Sequence, residues 1–266
     1  MKKLSFFAVA MAAMLFTACG GNKSTQPAEE AVSEKSFEQE QVEAKIKMEL
    51  DSLASEVGKL KQLPFLQTGE NGIKLTGQEK QVKPEYLIAP SVAENATTLA
   101  EKYRMLSALS VDKNIAALYD MPTADYEAAI AKLVADIDDP SFKDIEAATL
   151  YETGQKLYDA MNENGRINYF WQMVSGSLVE DIYAMSQNTD KFLTAFDDDA
   201  AANVTYRIVL LSDAVKRLAE YDSSFEPIAK AIEALEPLNA NSVDQLKTQL
   251  AETKEKIAEA RNALIK

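Results

Sequence analysis

Apolar residues recur at steps of three and four along nearly all of the chain from Phe37 onward, and this periodicity limits the fold more than any other feature. Such spacing places the apolar residues on one face of an α-helix, whereas a half-buried strand needs an alternation that is sustained nowhere here. Glycine, which weakens helices, accounts for only 9 of the 266 residues. The sequence therefore predicts an all-α fold, an irregular bundle of about eight helices that forms one domain over residues 37–266.

The first and the last predicted helices are long and carry a narrow apolar stripe like the seam of a coiled coil. The first covers residues 37–63, where Pro64 ends it, and the last follows Ser242 as its cap. We expect these two helices to pack antiparallel through their stripes. The stripe residues are Val42, Ile46, Leu50, Leu53, Val57 and Leu60 in the first helix, and Val243, Leu246, Leu250, Ile257 and Leu264 in the last.

Residues 64–90 interrupt the helical pattern, because they include three glycines and three prolines. The turn sequence Glu70-Asn71-Gly72 lies between short apolar runs, which predicts either a small hairpin or an irregular loop. Ser91 and Glu94 follow with the spacing of a capping box, so we expect the second helix to start there. That helix should continue to Tyr119, with a break near Ser110.

The first residues of the chain have a pattern unlike that of the helical domain. Lys2 and Lys3 precede an apolar run from Leu4 to Phe16, and the small pair Thr17-Ala18 follows. A positive start, a short apolar core and small residues are typical of a secretory signal peptide. The run is about half the roughly 20 residues that a membrane-spanning helix needs. We therefore predict that residues 1–18 are a signal peptide.

The segment Leu15-Phe16-Thr17-Ala18-Cys19 resembles the lipobox of bacterial lipoproteins of the Bacteroidetes type, with Phe16 where leucine is usual. The resemblance implies cleavage before Cys19, lipidation of its thiol and acylation, for example with palmitate, of the new N-terminus. Gly20 after the cysteine implies sorting to the outer membrane, with the periplasmic face and the cell surface both left open. Residues 20–36 are polar and rich in small residues and proline, so residues 19–36 should form a lipidated, flexible tether.

Composition excludes much of the common catalytic chemistry. The chain has no histidine, and its single cysteine is the one predicted to carry lipid, so histidine-based catalysis and imidazole or thiolate metal sites are absent. The acidic runs 136–139 and 197–199 lack the glycine and glutamate that a helix-loop-helix calcium loop needs. We expect no metal and no cofactor. Loss of two lysines with the signal changes the formal charge to −14 − 2 = −16, which disfavours nucleic acid.

These features favour a non-enzymatic lipoprotein whose helical domain binds or scaffolds an envelope protein and touches the membrane through its lipid; the oligomeric state is left open. One alternative is a small-ligand or glycan binder with a groove near Trp171, the only tryptophan, although core packing would also explain this residue. Tyr169 is close in sequence, and Tyr151 and Tyr158 lie seven apart on one helix face, so all three could line that groove. Another alternative is a carboxylate-based hydrolase, because that chemistry requires only acids.

Overall fold

A computed structural model describes residues 37–67, 72–142 and 150–265, so the predicted signal peptide, Cys19 and the tether lie outside the described residues. These ranges contain nine α-helices and no strand, which confirms the all-α prediction, and none of their helices is long and apolar enough to span a membrane. The helices are α1 (Phe37–Gly58), α2 (Leu99–Leu118), α3 (Ala124–Ile137), α4 (Leu150–Glu163), α5 (Ile167–Gln187), α6 (Thr189–Phe192), α7 (Asp198–Ala219), α8 (Glu226–Glu233) and α9 (Val243–Leu264).

Helix α5 forms the centre of the bundle. Every residue from Phe170 to Ser186 except Tyr183 is buried, because α2, α4, α7 and α9 pack around this helix. Gly176 sets how closely α2 can approach, since a Cβ atom there would lie only 2.6 Å from the carbonyl oxygen of Arg104. A glycine in a helix interior costs stability, and here it permits α2 and α5 to pack closely in the core.

The expected antiparallel pairing of the first and last helices is not found among the described contacts. Helix α1 packs against α4 and α7, and α9 packs against α5 and α8. Most of the described stripe residues are buried, among them Leu50, Val57, Leu250 and Ile257, whereas Ile46, Leu53 and Val243 are half-buried. An apolar stripe indicates that one face of a helix is covered, but many helices offer a complementary face and the stripe alone does not choose between them.

The second helix begins seven residues later than predicted. Residues Pro90–Asn95 form a 3-10 turn without a side-chain cap, and α2 starts after Thr98. Thr98 Oγ1 accepts from the backbone N–H of Glu101 (3.2 Å), and Glu101 Oε2 accepts from the N–H of Thr98 (2.9 Å), which completes a capping box. The predicted break near Ser110 is also wrong, because its hydroxyl donates to Leu106 O inside a continuous helix.

The interval 64–90 is an irregular loop in its described residues, with 3-10 turns at Pro64–Leu66 and Glu79–Gln81 and no strand. Glu70 and Asn71 of the predicted turn lie outside the described residues. The loop is anchored at its start, because Phe65 is buried and stacks on Phe192 with the ring centroids 4.8 Å apart. Its final part, residues 82–89, lies against the core and is called the strap below.

Candidate functional site

The single tryptophan is a core residue. The indole of Trp171 is fully buried and meets Phe170 edge-on, with the ring centroids 5.3 Å apart. Tyr158 is buried on the other side of Phe170, with its ring 5.2 Å away, and its hydroxyl donates to Asp51 on α1. Trp171 and Tyr158 therefore belong to one aromatic cluster, but that cluster joins α1, α4 and α5 and presents no indole surface to a ligand.

Tyr169 belongs to a second aromatic cluster. Its half-buried ring stacks on Tyr103 with the ring centroids 4.7 Å apart, and the guanidinium of Arg166 lies 5.6 Å from its centroid. The side chain of Tyr151 lies outside the described ones. The structure thus brings together Trp171 and Tyr158 of the four residues predicted from sequence, and places Tyr169 in a separate stack with α2.

Three charged side chains from different helices meet inside the core. Asp112 of α2 and Glu180 of α5 are both 0% exposed. Arg261 of α9 donates from Nε to Glu180 Oε2 (2.9 Å) and from Nη2 to Glu180 Oε1 (3.1 Å), which is a bidentate bridge. The guanidinium also lies 4.3 Å from the ring centroid of Tyr183, a cation–π contact. We call Asp112, Glu180 and Arg261 the buried triad.

The buried triad holds the strap through backbone groups. The N–H of Ile88 donates to Asp112 Oδ2 (2.6 Å), and Arg261 Nη2 donates to the carbonyl of Tyr86 (3.4 Å). From the other side, the hydroxyl of Tyr126 on α3 donates to the carbonyl of Ile88 (2.9 Å). The N–H and carbonyl of Ile88 and the carbonyl of Tyr86 are therefore satisfied by side chains instead of by a ladder or a helix.

The environment of the triad favours the neutral form of Asp112. Burial raises the pKa of Asp112 well above its usual range, and the neighbouring Glu180 raises it further, while the Ile88 N–H and Arg261 act in the opposite direction. Burial also raises the pKa of Glu180, against the bridge to Arg261. Oδ1 of Asp112 is buried and accepts no hydrogen bond among the described residues. A proton on this carboxyl, shared with Glu180, would satisfy both groups.

Sequence reasoning missed the triad, although a signal for it exists. Asp112 lies three residues after Leu109 and three before Ile115, in the middle of an apolar face. Arg261 lies four residues after Ile257 and three before Leu264, in the stripe of the last helix. A charge at a core position is costly unless it is paired, so each such position predicts a partner on another helix.

A separate cleft of about 340 Å³ opens on the surface between the 3-10 turn at Pro90–Asn95, α2 and α3. Its floor is apolar and buried, and its rim carries two lysines and two acids. Lys132 on the rim is bound to Glu94, with Nζ 3.0 Å from Oε1. The floor consists of Ala93, Ala96 and Leu133, and the charged rim consists of Glu94, Lys102, Lys132 and Asp136.

Neither location has the ligand set of a metal centre: within the described ranges, no three or more acidic, histidine or cysteine side chains come together in a way that could hold a metal ion. The chain was compared with protein-family models, with curated proteins and with solved structures, and none of these comparisons gives a match.

Proposed function

We propose that the chain is a non-enzymatic envelope lipoprotein, held at the outer membrane by acyl chains on Cys19, whose helical domain binds or scaffolds an envelope protein. The observation that carries this proposal is the sequence from Lys2 to Cys19, in which a positive start and a short apolar run lead to small residues and the only cysteine. A tether of residues 20–36 would let the domain reach a partner away from the lipid surface.

Exposed apolar side chains on two adjacent helices support a protein contact. Val209 on α7 is 58% exposed, and Tyr206 lies one turn before it on the same helix. Met48, which is 73% exposed, lies on α1, and α1 packs beside α7 through contacts such as the hydrogen bond from the Tyr206 hydroxyl to Glu56. Tyr206 and Val209, one turn apart on α7, form a small exposed apolar site that a protein partner could cover.

The anchor is tested on the native protein by mass spectrometry of its N-terminal peptide and by labelling with palmitate. We expect a mature N-terminus at Cys19 that carries acyl chains, and membrane association that withstands high salt. The variant Cys19→Ala should take up no label, because the chain has no other cysteine, whereas Ser24→Ala in the tether should be labelled normally. An unmodified Cys19, or a mature N-terminus elsewhere, would remove the anchor from the proposal.

A small-ligand binder is the second candidate, and the specific observation for it is the cleft beside α2 and α3, not Trp171. An apolar floor with lysines and acids on the rim suits a small zwitterion such as a dipeptide, whose carboxylate would pair with Lys102 and whose ammonium would pair with Asp136. Calorimetry with Ala-Ala should show heat that is lost in Lys102→Ala and kept in Lys156→Ala, an exposed lysine on α4. Equal heats in the two variants would exclude the cleft.

The hydrolase alternative gains no support from the buried triad. Glycoside hydrolysis needs two carboxyl groups on either side of a bound substrate, with room for water. Asp112 and Glu180 are enclosed by three helices and the strap, so a substrate has no access to them in this conformation.

A further inference from the structure

We propose that Asp112 and Glu180 hold one proton between them in the folded protein, and that this proton keeps the strap closed on α2, α5 and α9. Loss of the proton as pH rises releases the strap. The device is independent of the lipid anchor, because all of its groups lie in the helical domain.

The charge balance of the core requires such a proton. Two ionised carboxylates beside one guanidinium would leave a net negative charge in a fully buried position, where the cost of desolvation is several kcal/mol or more. Binding one proton makes the triad neutral, with Glu180 ionised against Arg261 and Asp112 as a carboxylic acid. The bidentate geometry of Glu180 with Arg261 identifies Glu180 as the ionised partner.

The hydrogen bonds indicate which oxygen carries the proton. Oδ2 of Asp112 accepts the N–H of Ile88 at 2.6 Å, so this oxygen acts as an acceptor. Oδ1 is buried and has no donor in the described part of the chain, which suits an O–H group that donates to Glu180. The proton therefore belongs on Oδ1, and the same carboxyl binds the strap through Oδ2.

Loss of the proton acts directly on the strap. Without it, two carboxylates repel each other in a medium of low dielectric, and Asp112 must move away from Glu180 or admit water. Because Oδ2 of Asp112 accepts the N–H of Ile88 in either protonation state, the displaced carboxylate draws Ile88 and the strap away from α5 and α9. The other hydrogen bonds of the strap are those to the Tyr86 carbonyl, to the Ile88 carbonyl and from Lys83 Nζ to the Tyr119 carbonyl. Ile88, Tyr86 and Leu87 also pack against the core, but local opening of an eight-residue loop segment still needs less free energy than global unfolding.

Three phenols near the triad keep their charge state while Asp112 titrates. Burial raises the pKa of Tyr126 to about 12, and burial raises the pKa of Tyr86 and of Tyr119, so the three phenols stay neutral. The bridge to Glu180 keeps Arg261 charged. The aromatic ionisable groups around the triad are Tyr119 directly after α2, Tyr126 on α3, Tyr183 on α5 and Tyr86 on the strap.

Infrared spectroscopy tests the proton directly, because a protonated carboxylic acid has a C=O stretch that is distinct from the bands of a carboxylate. We expect this band in the purified protein at neutral pH and its loss on titration to alkaline pH. Asp112→Asn should lack the band, whereas Asp138→Asn should keep it, because Asp138 is exposed and asparagine readily adopts its left-handed backbone. Absence of the band from the wild-type protein at neutral pH overturns the proposal.

Hydrogen exchange tests the release of the strap. Between the ordinary pKa of Asp112 and its raised pKa in the closed state, protection of the amides of residues 82–89 should fall about tenfold per pH unit relative to Asp112→Asn at the same pH, as expected for one proton, and it should level off above the raised pKa. The asparagine can accept from Ile88 and donate to Glu180, so this variant should keep the strap closed at all pH values. An identical pH dependence in the wild type and the variant overturns the role of the proton, and the infrared result stands even if the variant fails to fold.

Discussion

At the scale of single residues, two Ser/Thr-x-x-Glu sequences lie seven positions apart, and only one of them caps a helix. Thr98 accepts from Glu101 N, whereas Ser91 is exposed and makes no cap. Thr98→Ala should lower the free energy of unfolding by about 1 kcal/mol, the usual cost of a lost cap, and Ser91→Ala should change it by less than about 0.5 kcal/mol. Urea titration followed by Trp171 fluorescence measures both, and an equal loss in the two variants would contradict the assignment of the cap.

The sequence identifies a capping box before the second helix, but it cannot decide between the Ser91–Glu94 and Thr98–Glu101 candidates. The local pattern is the same in both; what differs is that Pro90 starts a short turn before the first, while the long apolar face of α2 follows the second. Where only one candidate cap existed, as with Ser242 before α9, the sequence prediction is confirmed. Asp112 and Glu180 could not be paired from sequence, because their contact joins positions 68 residues apart.

At the scale of elements, the contact between α2 and α5 depends on the absence of a side chain at Gly176. A methyl group there would press on the Arg104 carbonyl and the Ser107 hydroxyl, each 2.6 Å from the Cβ position, so the helices would have to separate. We expect Gly176→Ala to cost about 1–3 kcal/mol despite the better helix propensity of alanine. The matched control is Gly77→Ala, which has open space around its Cβ position and should be near neutral in the same urea titration. An unchanged free energy of unfolding in Gly176→Ala would contradict this prediction, because it would show that α2 and α5 can separate enough to accommodate the methyl group without cost.

The apolar periodicity predicts where helices form, but it does not predict which helices pack against each other. The stripe of α9 faces α5, and the charge within that stripe, Arg261, bridges to Glu180 on the same neighbour. The stripe of α1 is covered by α4 and α7, and Lys47 and Gly58 of α1 lie against Asn162 and Gln155 of α4. Such pairing is set by the three-dimensional fit of side chains along each helix, which a list of apolar positions does not contain.

At the scale of the whole molecule, Glu101 and Asp112 make the free energy of unfolding depend on pH in opposite directions. The backbone N–H of Thr98, together with the Thr97 N–H and the hydroxyls of both threonines, lowers the pKa of Glu101 to about 2 from its ordinary 4.5. The stability that Glu101 contributes is therefore present above its ordinary pKa and is lost as pH falls toward 2. The pKa of Asp112 is raised above its ordinary 3.8, so the folded state binds more protons than the unfolded state and stability falls as pH rises beyond that value.

These two opposite linkages predict a free energy of unfolding that is highest in weakly acidic solution, at about pH 4–5, and that declines on both sides. The formal charge of −14 at pH 7 adds self-repulsion to the alkaline side. Urea titrations across the pH range should give this profile. Asp112→Asn should flatten its alkaline side, and Glu101→Gln should flatten its acid side while keeping the capping box, because glutamine also makes that motif. A wild-type stability that continues to rise from weakly acidic to alkaline pH would contradict the assignment of a bound proton to the buried triad.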